Sequence, residues 1–245
     1  MVIKSRRERE KEQRKKEILD SAEKLFFKKG YDDVSMNDIA KDVELNKATL
    51  YLYFDNKEDL FFASVFRGAK IMVSMIEEEV AKEETGIKKI EAFRMAYTHF
   101  AYKYPDYYWG YNYFQSGRFD IETIINSEYA NEIIAQAGFY NIIHNIAPVS
   151  NFNILNPVSE YAINIIGIRR KIFDIVCDSI KLGMDEGIIR QDINTYETAV
   201  MLIMMAESAQ NAQPDFIKIL ESFGINKEKF KDDFGEFVKY MLLNK

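Results

Sequence analysis

Residues 39–60 read Ile-Ala-Lys-Asp-Val-Glu-Leu-Asn-Lys-Ala-Thr-Leu-Tyr-Leu-Tyr-Phe-Asp-Asn-Lys-Glu-Asp-Leu, a short helix, a tight turn and a second short helix. Ile39, Ala40 and Val43 make an apolar face on the first helix, and Leu50 and Phe54 stand four apart on the second. Lys47, Thr49, Tyr51 and Tyr53 occupy the opposite side. Asn46 stands at the N-cap position, with Lys47 and Ala48 in the first turn. That first turn is the part of a recognition helix that enters the major groove of DNA, so the stretch reads as a helix-turn-helix. The spacing is also compatible with a solvated face on an ordinary three-helix module.

Working outward, Ile18, Leu19, Ala22, Leu25 and Phe26 predict a helix from about Arg7 to Lys29, which Gly30 stops. Ser35 or Asn37 starts the next helix. Ser35 fits a cap with Asp38 at N3, and both side chains can also reach a phosphate or base. From Lys57 a long helix is predicted to about Glu84, with Phe61, Phe62, Val65, Phe66, Ala69 and Met72 on its buried side. Its N-terminal amides and Lys57 suit a phosphate.

These residues carry a resemblance. Ile18, Ala22, Leu25, Phe26, Gly30, Tyr31, Ser35, Ile39, Ala40, Lys47, Thr49, Leu50, Tyr51, Tyr53, Phe54, Lys57, Glu58 and Leu60 stand as they do in the N-terminal domain of the TetR/AcrR family of transcriptional regulators. Residues 18–60 therefore resemble that domain. Glu44 departs from the pattern at a turn position where the family usually has Gly, which demands a strained backbone or a different turn. Asn46 replaces the usual Ser or Thr.

Composition sets the frame. The 245 residues are 47 % hydrophobic and 29 % charged with four prolines, which predicts an all-α chain. We expect two domains: residues 1–60, an N-terminal three-helix helix-turn-helix domain with a basic arm, and residues 61–245, a larger helical domain for ligand binding and dimerisation. The net charge of −6 belongs to the second part, because residues 1–60 hold 14 basic and 14 acidic side chains of the chain's 33 and 39. Lys4 through Lys16 make the arm locally positive, suited to phosphates or a minor groove. Its alternating Glu and Lys/Arg equally fit a solvated helical extension.

In the second part, Ile90, Phe93, Ala96, Tyr97 and Phe100 form a stripe that Pro105 interrupts. Residues 104–119 then hold Tyr104, Tyr107, Tyr108, Trp109, Tyr111, Tyr113, Phe114 and Phe119. Such density lines a pocket for a flat or apolar molecule, or packs as core. The resemblance to ligand-responsive regulators selects Phe100, Tyr104, Trp109, Tyr113, Phe114, Phe139 and Phe173 as candidate ligand contacts. Helices are predicted over about 121–146, 158–186, 195–210 and 227–243, with an irregular Asn-rich stretch at 145–156. The family resemblance places homodimerisation on helices 158–186 and 195–210, where Gly183, Ala199, Ala206 and Ala209 pack either against a symmetry mate or in the protomer core.

No enzyme, cofactor or metal is expected. His99, His144 and Cys177 are isolated, and there is no glycine-rich phosphate loop. With no apolar leader and no spanning run, the expected location is the cytoplasm. The resemblance implies a ligand-responsive, sequence-specific DNA-binding regulator, a repressor released from a palindromic operator by a small hydrophobic or aromatic effector. The alternative is a DNA-binding structural or assembly factor without an effector. The candidate DNA contacts are Ser35, Asn37, Asn46, Lys47, Ala48, Thr49, Tyr51, Tyr53 and Lys57. Lys47 and Asn37 suit base edges, Ala48 a thymine methyl, and Thr49, Tyr51, Tyr53 and Lys57 phosphates.

Overall fold

A computed structural model describes residues 5–125 and 159–244. The expected continuation of the 121–146 helix, the Asn-rich stretch, His144 and Phe139 lie outside the described residues. Among those described, the chain is helical: α1 Arg6–Lys29, α2 Met36–Asp42, α3 Lys47–Leu50, α4 Lys57–Val80, α5 Gly86–Lys103, α6 Pro105–Gln115, α7 Ile121–Ile125, α8 Glu160–Asp185, α9 Thr195–Gln210, α10 Pro214–Ser222 and α11 Lys227–Leu242.

The described residues fall into two compact units, the first drawn from 1–69 and 106–167 and the second from 70–105 and 168–245. Composition alone gave no reason to group 106–119 with the helix-turn-helix. Packing does. In the first unit Phe61 of α4 meets Phe26 of α1 edge-on at 5.4 Å, Trp109 of α6 at 6.2 Å and Tyr113 at 5.6 Å, and stacks on Phe119 at 5.6 Å. Phe62 meets Phe114 and Phe119 at 5.2 and 4.9 Å. The aromatic segment thus forms the core beneath α1 and α4, in the edge-to-face arrangements that ring quadrupoles favour. Gly68 permits this, since a Cβ there would lie 2.7 Å from Tyr107.

Polar links repeat the connection. Asp32, in the loop after α1, accepts hydrogen bonds from Tyr113 Oη at 2.9 Å and from Arg118. Glu23 of α1 is buried, and its Oε2 accepts from Arg67 Nη1 at 2.8 Å and Tyr107 Oη at 3.1 Å. Arg67 also donates to Asp20 at 2.6 Å. Burial outweighs the arginine, and the Glu23 carboxyl is pushed up to about 7.

The second unit packs α5, α8, α9 and α11 around Phe93, Tyr97, Ile172, Val176, Ile180, Leu202, Val238 and Leu242. Gly86 lets the start of α5 meet α8 backbone to backbone: a Cβ there would fall 2.2 Å from Gly183 N. Ile189 fills the space beside Gly183, and Ala199 and Ala206 are buried within the protomer. For these three small residues the core role is the one observed, because neighbours in the same chain occupy the room that small side chains leave. What α9 turns outward is Val200, Met201 and Met204.

Candidate nucleic-acid interface

Each short helix of the helix-turn-helix is set by its cap. Ser35 and Asp38 form a reciprocal box in which Ser35 Oγ accepts from Asp38 N at 3.2 Å, while Asp38 Oδ2 accepts from Ser35 N at 2.9 Å. The Ser35 hydroxyl and amide hold the Asp38 carboxyl below the usual carboxylate range. Asn46 caps α3, its Oδ1 accepting from Thr49 N at 2.7 Å and from the Thr49 hydroxyl at 2.9 Å. Ser21 Oγ donates to Asp42 Oδ2 at 2.8 Å, pinning the end of α2 to α1.

The turn between α2 and α3 is strained. Glu44 has φ 54°, the one non-glycine residue with positive φ among the described residues. An L side chain there costs about 1–2 kcal/mol, part of which a glycine returns through its larger unfolded-state entropy. Glu44 is exposed and makes no packing contribution that its loss would remove. Glu44→Gly is therefore expected to stabilise the first unit by about 0.5–1 kcal/mol, read as a rise in the denaturation midpoint. An unchanged or lowered midpoint would contradict the strain.

The second helix is shorter than the rod expected over 46–54. The α-helix covers Lys47–Leu50, and the chain then tightens: Leu52 N donates to Thr49 O at 3.1 Å and Tyr53 N to Leu50 O at 3.0 Å, both i to i−3. The cause lies at the start of α4. Phe54 is buried, and Asn56 caps α4 through Asp59 N at 2.7 Å, so the chain must reverse within Phe54–Asn56.

Ser35, Asn37, Asn46, Lys47, Ala48 and Tyr51 are all exposed. Lys47 Nζ lies 5.8 Å from the Tyr51 ring centroid. Thr49 and Tyr53 are partly covered, and the Thr49 hydroxyl is engaged with Asn46. Lys57 turns back on the loop after α1, donating to Tyr31 O at 3.0 Å with its Nζ 4.1 Å from that ring's centroid. An ammonium has three donors, so this bond does not exhaust it. The basic arm is the N-terminal half of α1, capped by Ser5 and laced by Arg6–Glu10 and Arg14–Glu17 pairs.

One residue on this face escaped the sequence reading. Leu52 is 75 % exposed, four residues after Ala48. The signal was present, since in a helix whose inward pair is Leu50 and Phe54, residue 52 must point away.

Of the candidate ligand contacts, Trp109, Tyr113 and Phe114 belong to the ring cluster of the first unit, while Phe100, Tyr104 and Phe173 belong to the second. Phe100 is fully buried and tilts against Tyr104 at 5.8 Å. Phe173 of α8 stacks on Tyr196 of α9 at 6.3 Å, beneath the Arg170 guanidinium. Two spaces appear in the second unit: a void of about 30 Å³ among α5, α9 and α11, and an open apolar groove of about 370 Å³ between α9 and α11.

Among the described residues no group of three or more His, Cys, Asp or Glu is placed to hold a metal, and no helix is long and apolar enough to cross a membrane. The Cys177 thiol is buried and pushed up to about 11, far from thiolate chemistry at neutral pH.

Residues 18–64 match the family model described as bacterial regulatory proteins, tetR family. That stretch, about a fifth of the chain, is thus similar to the DNA-binding domain of tetR-family regulators. Beyond that domain, a tetR-family regulatory protein from Rhodococcus RHA1 superposes with a TM-score of 0.60 at 13 % identity, covering 95 % of this chain and 98 % of the other. AibR, solved in complex with isovaleryl coenzyme A and operator DNA, gives 0.54 at 18 % identity over 94 % and 98 %. The whole chain thus has the tetR-family fold. The biofilm operon icaADBC HTH-type negative transcriptional regulator IcaR of Staphylococcus epidermidis is 47 % identical over 51 residues, which are 21 % of this chain and 28 % of IcaR. The chain therefore matches little more than a quarter of that relative's length.

Proposed function

We propose that the chain is a homodimeric repressor that reads a palindromic operator with the α2–α3 surface. One observation carries this: Asn37, Lys47, Ala48, Tyr51 and Leu52 form an exposed donor, methyl and ring surface on and just after a helix pair whose other side packs through Ile39, Ala40, Leu50 and Phe54. Lys47 and Asn37 reach base edges, Ala48 and Leu52 meet thymine methyls, and Tyr51, Tyr53, Thr49 and Lys57 hold phosphates, with Ser35 and Asn46 shaping the helix starts. Two such surfaces on a two-fold axis select half-sites about one helical turn, roughly 34 Å, apart. The negative regulation described for IcaR supports the sign, and the chain acts in the cytoplasm as a binding protein, not an enzyme.

The partner surface includes α9. Its middle, 199–206, is apolar all round, and Val200, Met201 and Met204 stand exposed there among the described residues. α8 contributes beside it through Phe173 against Tyr196.

Tyr51→Ala and Lys57→Ala are expected to weaken binding to all DNA sequences by about 1–3 kcal/mol, and Lys47→Ala to relax base preference as well. Electrophoretic mobility shifts on selected and scrambled duplexes separate the two effects. Replacing operator thymines by deoxyuridine should weaken the wild type, and weaken Leu52→Ala by less, since that variant keeps only the Ala48 methyl contact. Wild-type affinity for both Tyr51→Ala and Lys47→Ala would remove α3 from the interface.

A small hydrophobic or aromatic effector releases the operator in this reading. AibR shows that one such fold accommodates an acyl thioester and DNA, and a coupling of about 1–3 kcal/mol suffices, acting reciprocally on both ligands. The close packing of Trp109 and Tyr113 on each other and on Phe61, and of Phe114 on Phe62 and Phe119, favours a second reading, a DNA-binding structural or assembly factor without an effector. Compounds that raise the melting temperature and lower operator affinity support the first reading. A screen that finds none supports the second.

A further inference from the structure

The outward faces of α9, α10 and α11 carry apolar side chains that stand exposed among the described residues. On α10 no residue is buried, although Phe216 and Ile219, with Phe223 at the C-cap, recur at i, i+3 and i+7, Phe216 being 62 % and Phe223 77 % exposed. Beside it on α11, Phe237 and Tyr240 also face outward. The open groove of about 370 Å³ between α9 and α11, lined by Met204, Met205, Ala209, Phe230 and Phe234, reaches Ala212, just before α10 begins at Pro214.

We propose that α10 of one copy seats Phe216, Ile219 and Phe223 in the α9–α11 groove of a second copy. The inference rests on the dimeric reading above and extends it to a helix that reading did not use. A two-fold contact needs ridge and groove on the same patch of one protomer, and this patch has both. Area argues the same way. An aromatic or long apolar side chain that is half exposed leaves about 100 Å², so Tyr196, Val200, Met201 and Met204 offer about 400 Å², half of the roughly 800 Å² per partner that a stable interface buries. The five apolar side chains on α10 and α11 bring the patch to about 900 Å². Charge selects the occupant. The rest of α10 carries Asp215 and Glu221 against Lys218, which suits neither an anionic lipid surface nor nucleic acid.

The test is sedimentation equilibrium on the full chain, comparing wild type with a Phe216→Asp, Ile219→Asp, Phe223→Asp variant and with Val200→Asp on α9. Wild type is expected to be a dimer. The α10 variant should raise the dissociation constant about 100-fold with an unchanged far-ultraviolet helix signal, and Val200→Asp should raise it as well. A second measurement fixes the geometry: Ala209→Cys and Ile219→Cys, each with Cys177→Ala, are mixed and oxidised, and should form a mixed disulfide. A dimeric wild type with an unchanged constant for the α10 variant would overturn the inference and leave the dimer standing. A monomeric wild type would overturn the dimeric reading and the inference together. A disulfide formed within one chain carrying both cysteines, at concentrations where it is monomeric, would show that α10 covers its own groove, and would also overturn it.

Discussion

Phe61→Ala is expected to cost the first unit about 3–5 kcal/mol of stability, the range for truncating a large ring that cannot be replaced by collapse of its surroundings. Phe61 is fully buried and touches rings from α1, α6 and the segment before α7, so its loss opens a cavity bounded by three elements that caps and ion pairs also hold in place. Trp109 is the chain's single tryptophan and lies 6.2 Å from Phe61. Its fluorescence therefore reports the unfolding of this unit by denaturant. Tyr102→Ala, at an 85 % exposed position of the second unit, serves as the control and should stay within about 0.5 kcal/mol. A loss below about 1 kcal/mol for Phe61→Ala would mean that the ring cluster does not hold the unit together.

The second large effect is a pH dependence centred on Glu23. Its carboxyl titrates near 7 in the folded chain against 4.5 for an ordinary glutamate, because burial penalises the charge more than Arg67 and Tyr107 stabilise it. Below pH 4.5 the carboxyl is protonated in both states and contributes no difference. Between 4.5 and 7 the unfolded chain ionises first, so stability falls as pH rises, and above 7 the penalty is complete. A shift of this size corresponds to about 3 kcal/mol. Glu58 and Asp59 are also raised by burial, so the useful quantity is the difference from Glu23→Gln, in which this one titration is gone. Wild type should lose stability relative to Glu23→Gln from pH 4.5 to 7.5, read by Trp109 fluorescence. Parallel pH profiles would show that Arg67 fully compensates the buried charge.

Helix positions were legible where apolar periodicity was strong. The stripe Ile18, Ala22, Phe26 and the stop at Gly30 gave α1 within one residue, and the 195–210 segment matches α9. The caps at Ser35 and Asn46 were readable too, because a side chain that accepts from the third amide is a local feature. Long-range pairings were not. Nothing in the sequence near Tyr113 says that its hydroxyl meets Asp32, 81 residues earlier, or that Glu23 shares Arg67 with Asp20. For the same reason a run of eight aromatics could be named as pocket or core but not assigned. α10 was passed over although Pro214 at its start and the Phe216, Ile219, Phe223 spacing announce it. None of its residues is buried among the described residues, so the periodicity had no core to point to. The strain at Glu44 was foreseen from the missing glycine, and the φ of 54° bears it out.

The most direct test of DNA reading by the α2–α3 surface is selection of bound duplexes from a random-sequence pool, run in parallel with wild type and Lys47→Ala. The prediction is enrichment of a palindrome whose half-sites lie about one helical turn apart, with the base preference relaxed in the variant. A pool that shows no enrichment, or a motif that Lys47→Ala selects unchanged, would contradict it.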